Sequence, residues 1–130
     1  MTYQERKSLA RSFLGKTVKI MIDRPLGSAH PKHPDIIYQV NYGYIPNVFS
    51  GDGEEMDVYL LGVDVPVSEY TCKIIGIAHR EDDDEDKFIA APDGVVFSKN
   101  EMEKKIYFQE RYFKTTVETL YQKLLGEVSK

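Results

Sequence analysis

Residues Met56 to Ala91 read MDVYLLGVDVPVSEYTCKIIGIAHREDDDEDKFIAA, and this stretch contains three short apolar segments. They are MDVYLLGV at Met56–Val63, CKIIGIA at Cys72–Ala78 and KFIAA at Lys87–Ala91. Short apolar runs that are bounded by polar or turn-forming residues are typical of buried strands. The acidic residues between the second and third segments therefore form the turn of a predicted hairpin.

Two more extended segments are predicted upstream. Thr17–Ile22, TVKIMI, alternates in polarity and carries β-branched residues, which favours a strand. Asp35–Tyr44 is predicted to be extended because apolar and aromatic residues recur along it. The segment between them, Arg24–Pro34, holds three prolines and two histidines and is predicted to be a loop. Ser50–Glu55 is a second predicted loop.

Helices are predicted at both ends of the chain. Leu9, Phe13 and Leu14 fall on one helical face, and Gly15 follows as a helix stop. Ser98 and Glu101 form a predicted capping box, which starts a C-terminal helix. Near-helical spacing then continues through Ile106, Phe113, Val117, Leu120, Tyr121, Leu124 and Val128. The order of elements predicts an α+β fold, a small β-barrel with flanking helices, in a single domain over residues 1–130.

Composition and charge exclude several classes of function. Hydrophobic residues make up 42% of the 130 residues and charged residues 29%, as in ordinary soluble domains. No window approaches the ~20 apolar residues of a membrane span, so we expect a cytoplasmic protein without a membrane partner. Cys72 is the single cysteine, so no internal disulfide forms. The net charge of −4, with six carboxylates in a row at Glu81–Asp86, disfavours nucleic acid as a partner.

A carboxylate-rich loop suggests a metal site. Gly53 lets the backbone turn sharply, so that Asp52, Glu54 and Asp57 can converge. Oxygen ligands at a turn favour a hard ion such as magnesium, calcium or manganese. The acidic run offers further oxygens if both loops open on the same end of a barrel. Each feature alone is more often a solvated turn or a solvated face.

Three motifs in a fixed order are more specific than any of them alone. They are N-Y-G-Y-I-P at Asn41–Pro46, D-G-E-E-M-D at Asp52–Asp57, and G-I-A at Gly76–Ala78 ahead of an acidic cluster that ends in D-K at Asp86–Lys87. This set resembles the family I soluble inorganic pyrophosphatases over Tyr38–Pro92. A looser resemblance covers Phe108–Lys114, FQERYFK, and implies a helix that presents a tyrosine and a lysine to phosphate.

The resemblance implies a fold, a reaction and a set of site residues. The fold is a small OB-like barrel with flanking helices, and the reaction is the hydrolysis of pyrophosphate to two phosphates with Mg²⁺, or with Mn²⁺ in its place. Glu54 corresponds to the group that assists the attacking water, with Asp52 and Asp57 beside it as catalytic metal ligands. The implied metal ligands are Asp52, Asp57, Asp82 and Glu85. The implied substrate-binding residues are Arg24, Tyr38, Tyr42, Lys87, Tyr112 and Lys114.

Departures from the family pattern leave alternatives open. Glu54 and Glu85 stand where the family has aspartate, and Glu55 replaces a proline. The family's N-terminal hairpin has no clear counterpart, and this would leave a more open site. The alternatives are hydrolysis of another small diphosphate, a catalytically impaired metal- or phosphate-binding module, and an acidic surface that binds a basic partner. The terminal helices have enough apolar residues to pack on the barrel or on a second copy, so a homo-oligomer also stays open.

Overall fold

The computed structural model describes residues 2–82, 85–122 and 124. The elements with described bounds are, in chain order, α1 (Tyr3–Ser12), β1 (Thr17–Arg24), β2 (Asn41–Phe49), β3 (Glu55–Leu60), β4 (Glu69–Arg80), β5 (Asp86–Ala91), α2 (Lys99–Glu110) and β6 (Thr115–Thr119).

Five of these strands close into a barrel. They are hydrogen-bonded in the order β1-β2-β3-β5-β4, and β4 returns to pair with β1 in antiparallel register, with Val18 opposite Cys72. The pairing of β3 with β5 is parallel, and the other pairings are antiparallel. Closure removes the exposed edges that an open sheet of this size would present. The predicted small barrel is confirmed.

Gly43 allows β1 and β2 to approach closely. A Cβ atom at this position would lie 1.8 Å from the backbone carbonyl oxygen of Met21 on the neighbouring strand. A backbone oxygen cannot move aside without breaking the ladder, so no larger residue fits here. The glycine thereby sets the positions of its neighbours Tyr42 and Tyr44 at the start of β2.

The strands are buried on both faces and contribute side chains to two hydrophobic clusters. Val58 and Phe88 belong to one cluster, which also contains Ala10 and Leu14 at the N-terminal end of the chain. Tyr59 and Ile89, one residue further along, belong to the other, which α2 covers through Met102 and Ile106. Because side chains alternate along a strand, neighbouring positions of β3 and β5 face the α1 cluster and the α2 cluster in turn.

A polar cluster joins α1 to the barrel. The Lys7 ammonium, which is buried, donates to Asp86 Oδ1 at 2.7 Å and lies 3.0 Å from His79 Nδ1. Arg6 pairs with the other oxygen of Asp86 at 3.4 Å. Asp86 closes the acidic run in sequence, but the pleat of β5 turns it to the α1 side. Asp86 therefore does not contribute to the oxygens that the acidic run was expected to offer if both loops open on the same end of the barrel.

The structure has helices where the sequence analysis predicts α1 and the start of α2. The predicted apolar face of α1 is wrong in detail, because Leu9 is exposed and Phe13 and Leu14 follow the last residue of the helix. Thr2 and Ser98 are the N-caps, and each forms a capping box with the glutamate three residues later, Glu5 and Glu101. No helix in the described part of the chain is long and apolar enough to cross a membrane.

Residues 120–122 and 124 are helical as predicted, but the predicted long C-terminal helix is wrong between Glu110 and these residues. The chain turns there and forms β6, which pairs with β4 in antiparallel register. Residues 115–119, TTVET, are mostly β-branched, and Val117 and Thr119 alternate inward, so β4 offers this segment hydrogen bonds that outweigh its helical spacing. The predicted helix position Val128 lies outside the described residues.

The extended prediction for Asp35–Tyr44 is correct only in its second part. Strand β2 begins at Asn41, and residues 35–40 have no ladder apart from a single bridge between Ile37 and Ala29. Tyr38 and Val40 are buried all the same, because they pack against α2 and the adjoining strands. Burial of aromatic residues here reflects packing under a loop.

Candidate active site

A cleft of about 520 Å³ opens on the face of the barrel that α2 covers. Side chains from the ends of the strands, from the loop after β1 and from the turn after α2 line it. The lining residues are Arg24, His30, His33, Asp35, Ile36, Tyr42, Asp57, Arg80, Glu85, Lys87, Gln109, Tyr112 and Phe113. The mixture of arginine, lysine and carboxylates suits a small charged ligand.

Lys87 forms the charged centre of the cleft. Its ammonium donates to Asp57 Oδ2 at 2.5 Å and to Glu85 Oε2 at 2.8 Å. The lysine side chain is 5% exposed, whereas Asp57 and Glu85 are 30% and 23% exposed. Parallel pairing of β3 with β5 brings Asp57 and Lys87 together on one face. The sequence analysis placed these three residues at one site, and the structure brings them into contact.

Asp52 joins this centre from the loop before β3. Its carboxyl group is hydrogen-bonded to Glu85, and this bond is the main reason why the pKa of Asp52 falls to about 2. Burial, together with the Asp52 contact, raises the pKa of Glu85. Within the loop, Asp52 Oδ1 accepts from Ser50 Oγ and from the backbone N–H of Glu54 at 3.0 Å. Two acids in contact at the mouth of a cleft need a proton or a cation between them.

Arg24 and Tyr42 also line the cleft, and the fully buried Tyr38 contacts both of them. The Arg24 guanidinium lies 5.6 Å from the ring centroids of both tyrosines, and its Nη1 donates to Tyr38 Oη at 2.5 Å. Tyr42 is hydrogen-bonded to Asp57, and burial, with this carboxylate, raises the pKa of Tyr42 well above its ordinary value. The Tyr42 hydroxyl therefore stays protonated and remains a donor.

A buried network that the sequence analysis missed runs beneath the cleft. Tyr38 Oη donates to Gln109 Oε1 at 2.6 Å, Gln109 Nε2 donates to Tyr59 Oη at 2.7 Å, and Tyr59 Oη donates to Glu110 Oε2 at 2.5 Å. Gln109 and Glu110 follow Ile106 by three and four residues, so they continue the buried stripe of α2. These two polar residues at positions where a helix buries apolar side chains were the sequence signal that could have predicted the network.

Arg80 is the second residue that the sequence analysis missed. It stands at the end of β4, is 4% exposed, and donates to Glu110 through Nε at 3.0 Å and Nη2 at 2.7 Å. Its Nη1 donates to Glu85 Oε2 at 3.3 Å. The strand alternation that buries Ala78 also directs Arg80 inward. In the sequence Arg80 directly precedes the acidic run, so nothing distinguished it from a solvent-exposed charged residue.

The remaining predicted site residues lie at the margin of the cleft or away from it. Glu54 is exposed in the loop next to Asp52. Tyr112 lines the cleft and is 52% exposed, but it stands in the turn after α2, as Lys114 does, so the expected presentation from a helix is wrong. Asp82 accepts from the backbone N–H of Lys114 at 3.1 and 3.2 Å. Neither Asp82 nor Lys114 lines the cleft.

Two histidines from the loop after β1 complete the lining. His30 Nδ1 accepts from the backbone N–H groups of Lys32 at 3.0 Å and His33 at 3.2 Å. The neutral ring of His30 therefore carries its proton on Nε2. Burial, helped by the charge of Arg24, lowers the pKa of His30, which favours that neutral form.

The donor set suits a hard divalent cation. Among residues 2–82, 85–122 and 124, no three carboxylate, imidazole or thiolate groups converge as a ready-made metal site. Lys87 instead provides the positive charge between Asp57 and Glu85. Asp52 and Glu85 are nevertheless hydrogen-bonded to each other, and the donors of this cluster are carboxylate oxygens, which Mg²⁺ and Mn²⁺ prefer. The residues therefore fit such an ion.

Comparison with known proteins identifies relatives of this chain. A model of the inorganic pyrophosphatase family matches residues 13–120. An inorganic pyrophosphatase of Campylobacter jejuni is 32% identical over 82 residues, which are 59% of this chain and 44% of that protein. The chain thus spans less than half the length of this curated relative.

Solved structures agree on the fold. The inorganic pyrophosphatase of Ehrlichia chaffeensis superposes with a TM-score of 0.64 at 18% identity, over 88% of this chain and 94% of that one. The corresponding protein of Neisseria gonorrhoeae gives a TM-score of 0.61 at 19% identity, over 87% of this chain and 89% of that one. At these identities the likeness shows the barrel with its flanking helices.

Proposed function

The chain belongs to the inorganic pyrophosphatase family, and we propose that it hydrolyses inorganic pyrophosphate to two phosphates with the help of divalent metal ions. The observation that carries the proposal is the ion triad at the centre of the cleft, where Lys87 lies between Asp57 and Glu85 at 2.5 and 2.8 Å. A buried cation beside acidic oxygens, with Arg24 lining the same cleft, matches the needs of phosphoryl transfer, which are positioning and charge neutralisation.

We assign the metal site to the carboxylates Asp52, Asp57 and Glu85. Mg²⁺ is the proposed ion and Mn²⁺ its substitute, because both take oxygen donors. When bound, such an ion neutralises phosphate charge and lowers the pKa of a coordinated water. The resemblance adds Asp82 to this set, and metal titration of an Asp82→Asn variant tests that addition.

Glu54 is the proposed acceptor of the proton from the attacking water. It shares a tight turn with Asp52, since its backbone N–H donates to Asp52 Oδ1 at 3.0 Å. Its exposed side chain is not held by burial, so it remains free to reach the mouth of the cleft. A carboxylate within hydrogen-bond reach of the water is sufficient for this role.

The cationic and hydroxyl groups are the proposed partners of the phosphates. Lys87 acts as a point charge, and Arg24 offers a planar fork that can bind two phosphate oxygens at once. The hydroxyl groups of Tyr42 and Tyr112 add donors on stiff rings. The hydroxyl of the buried Tyr38 donates to Gln109 and accepts from Arg24, so its proposed role is to hold Arg24 rather than to bind phosphate directly. Lys114 is retained from the resemblance. Pyrophosphate is the proposed substrate and the cytoplasm the proposed location.

Phosphate release from pyrophosphate with Mg²⁺ tests the proposal. The native protein is compared with Asp57→Asn, which keeps the shape but removes a negative charge, and with Asp93→Asn, which alters an exposed aspartate outside the cleft. We expect a loss on the order of 100-fold for Asp57→Asn, because a catalytic group is lost, and no change for Asp93→Asn. No release with Mg²⁺, Mn²⁺ or Co²⁺ would contradict the proposal. Phosphate release from an organic diphosphate and not from pyrophosphate would change the proposed substrate.

A further inference from the structure

Arg80 has no role in the function proposed so far, yet it touches a proposed metal ligand. Its Nη1 donates to Glu85 Oε2 at 3.3 Å. Its guanidinium carbon lies 3.6 Å from the ring centroid of Phe113, which fixes the plane of the group. An arginine that is 4% exposed in a site for anions and cations has a definite orientation and a permanent charge.

Glu110 holds the other edge of the guanidinium. The two groups form a bidentate pair, with Nε–Oε1 and Nη2–Oε2 distances of 3.0 and 2.7 Å. Glu110 in turn accepts from Tyr59 Oη at 2.5 Å and Thr115 Oγ1 at 2.7 Å. The Glu110 carboxylate thus has partners on three elements, and Arg80 cannot rotate without breaking several buried hydrogen bonds.

Glu85 needs such a support more than an aspartate would. A glutamate side chain has one more rotatable bond than an aspartate side chain, and ordering that bond costs entropy. Its Oε2 accepts from Lys87 as well as Arg80, but Lys87 is shared with Asp57. Arg80 is the partner whose position is set from outside the carboxylate cluster, by Glu110.

We propose that Arg80, held by Glu110, is a positioning residue that orients Glu85 for the divalent cation and so sets the affinity for that cation. This inference rests on the proposed metal-dependent site. Groups that orient metal ligands typically change metal affinity or activity by about 10- to 100-fold when they are removed.

Metal binding without substrate tests the inference. Mn²⁺ binding is measured by electron paramagnetic resonance and Mg²⁺ binding by calorimetry, for the native protein, Arg80→Lys and Glu110→Gln. Arg80→Lys keeps the charge but loses the fork, and Glu110→Gln keeps the shape but loses the charge. We expect the dissociation constant to rise about 10-fold or more in both variants. We also expect the rate of hydrolysis in each variant to recover as Mg²⁺ is raised, which a purely structural defect would not produce.

A second arginine–glutamate pair supplies the matched control. Arg11 Nε lies 2.9 Å from Glu118 Oε1, and neither residue lines the cleft. Arg11→Lys should therefore leave metal affinity unchanged. If Arg80→Lys does not fold, the double variant Arg80→Met/Glu110→Leu replaces the whole buried pair with apolar groups, an exchange that is often tolerated. Mn²⁺ affinity equal to that of the native protein in any folded variant of the Arg80–Glu110 pair overturns the inference.

The outcomes separate this inference from the proposed function. Hydrolysis by the native protein with an unchanged dissociation constant in Arg80→Lys rejects the role of Arg80 and leaves the function intact. Weakened Mn²⁺ binding in Arg80→Lys, in a protein that hydrolyses no pyrophosphate, supports the role of Arg80 and rejects the function. A native protein that binds neither Mg²⁺ nor Mn²⁺ overturns the inference.

Discussion

Replacing Lys87 with methionine should destabilise the protein in a way that Mg²⁺ reverses. The substitution keeps the apolar stem but leaves Asp57 and Glu85 without the cation that lies 2.5 and 2.8 Å from them. Breaking a fully buried ion pair costs about 3–5 kcal/mol. Asp57 and Glu85 are 30% and 23% exposed and retain some hydration, so we expect about 2 kcal/mol. For a domain of this size that corresponds to a fall in Tm of roughly 6–8 °C.

Thermal unfolding followed by circular dichroism, with EDTA or with excess Mg²⁺, measures both effects. A cation at ten times its dissociation constant stabilises the folded state by about 1.4 kcal/mol. We expect this gain to be larger in Lys87→Met, whose carboxylates no longer share a lysine, than in the native protein. Lys19→Met is the matched control, because Lys19 pairs with Glu69 at 2.8 Å but is 62% exposed, and its loss should cost under about 0.5 kcal/mol. The reasoning would be refuted if Lys87→Met had the Tm of the native protein. It would also be refuted if Mg²⁺ stabilised Lys87→Met and the native protein by the same amount.

Three further predictions concern the barrel. Burial alone would raise the pKa of Asp86 and of Glu110, but hydrogen bonds from His79 and Lys7, and from Arg80, outweigh it and lower both values. The stability that these carboxylates contribute is complete above their ordinary pKa values and is lost as pH falls through the lowered values. We therefore expect Tm measured at pH 3 to lie well below Tm at pH 7. A Tm that does not change with pH would contradict this. Gly43→Ala should lower the free energy of unfolding by about 3 kcal/mol or more in a denaturant titration, because the alanine Cβ would lie 1.8 Å from the Met21 carbonyl oxygen. A decrease under about 1 kcal/mol would show that β1 can move away from β2. Burial raises the pKa of Cys72 to about 12, so this thiol should react with a disulfide reagent only after unfolding in guanidinium, and rapid labelling of the native protein would show that it is accessible.

Local patterns predicted most of the elements. The strand at Thr17, the hairpin of β4 and β5, and the capping box at Ser98 all follow from short-range rules of periodicity and capping, and all three are present. The failures occurred where a partner strand decided the outcome. Residues 115–119 have apolar residues at helical spacing, but the free edge of β4 recruits them as β6.

The sequence motifs identified the charged residues that line the candidate site, but they did not identify the residues that support them. Asp57, Glu85 and Lys87 were named from the sequence and lie in contact, whereas Arg80 and Glu110 were not named and support them from below. Glu110 is 30 residues from Arg80 and 51 from Tyr59, so no local pattern links it to its partners. Asp82 was named and lies apart from the cleft lining.

The amino-acid sequence by itself determined most of the strands and helices, the loop that carries Asp52, and the acid content that calls for a cation. Only the tertiary structure decided which charges meet. The pleat of β5 sends Lys87 to the cleft and Asp86 to Lys7 on the opposite side, although the two residues are adjacent in the chain. A side chain in a closed barrel points to one of two environments, and which of them holds a partner depends on strands and helices distant in sequence.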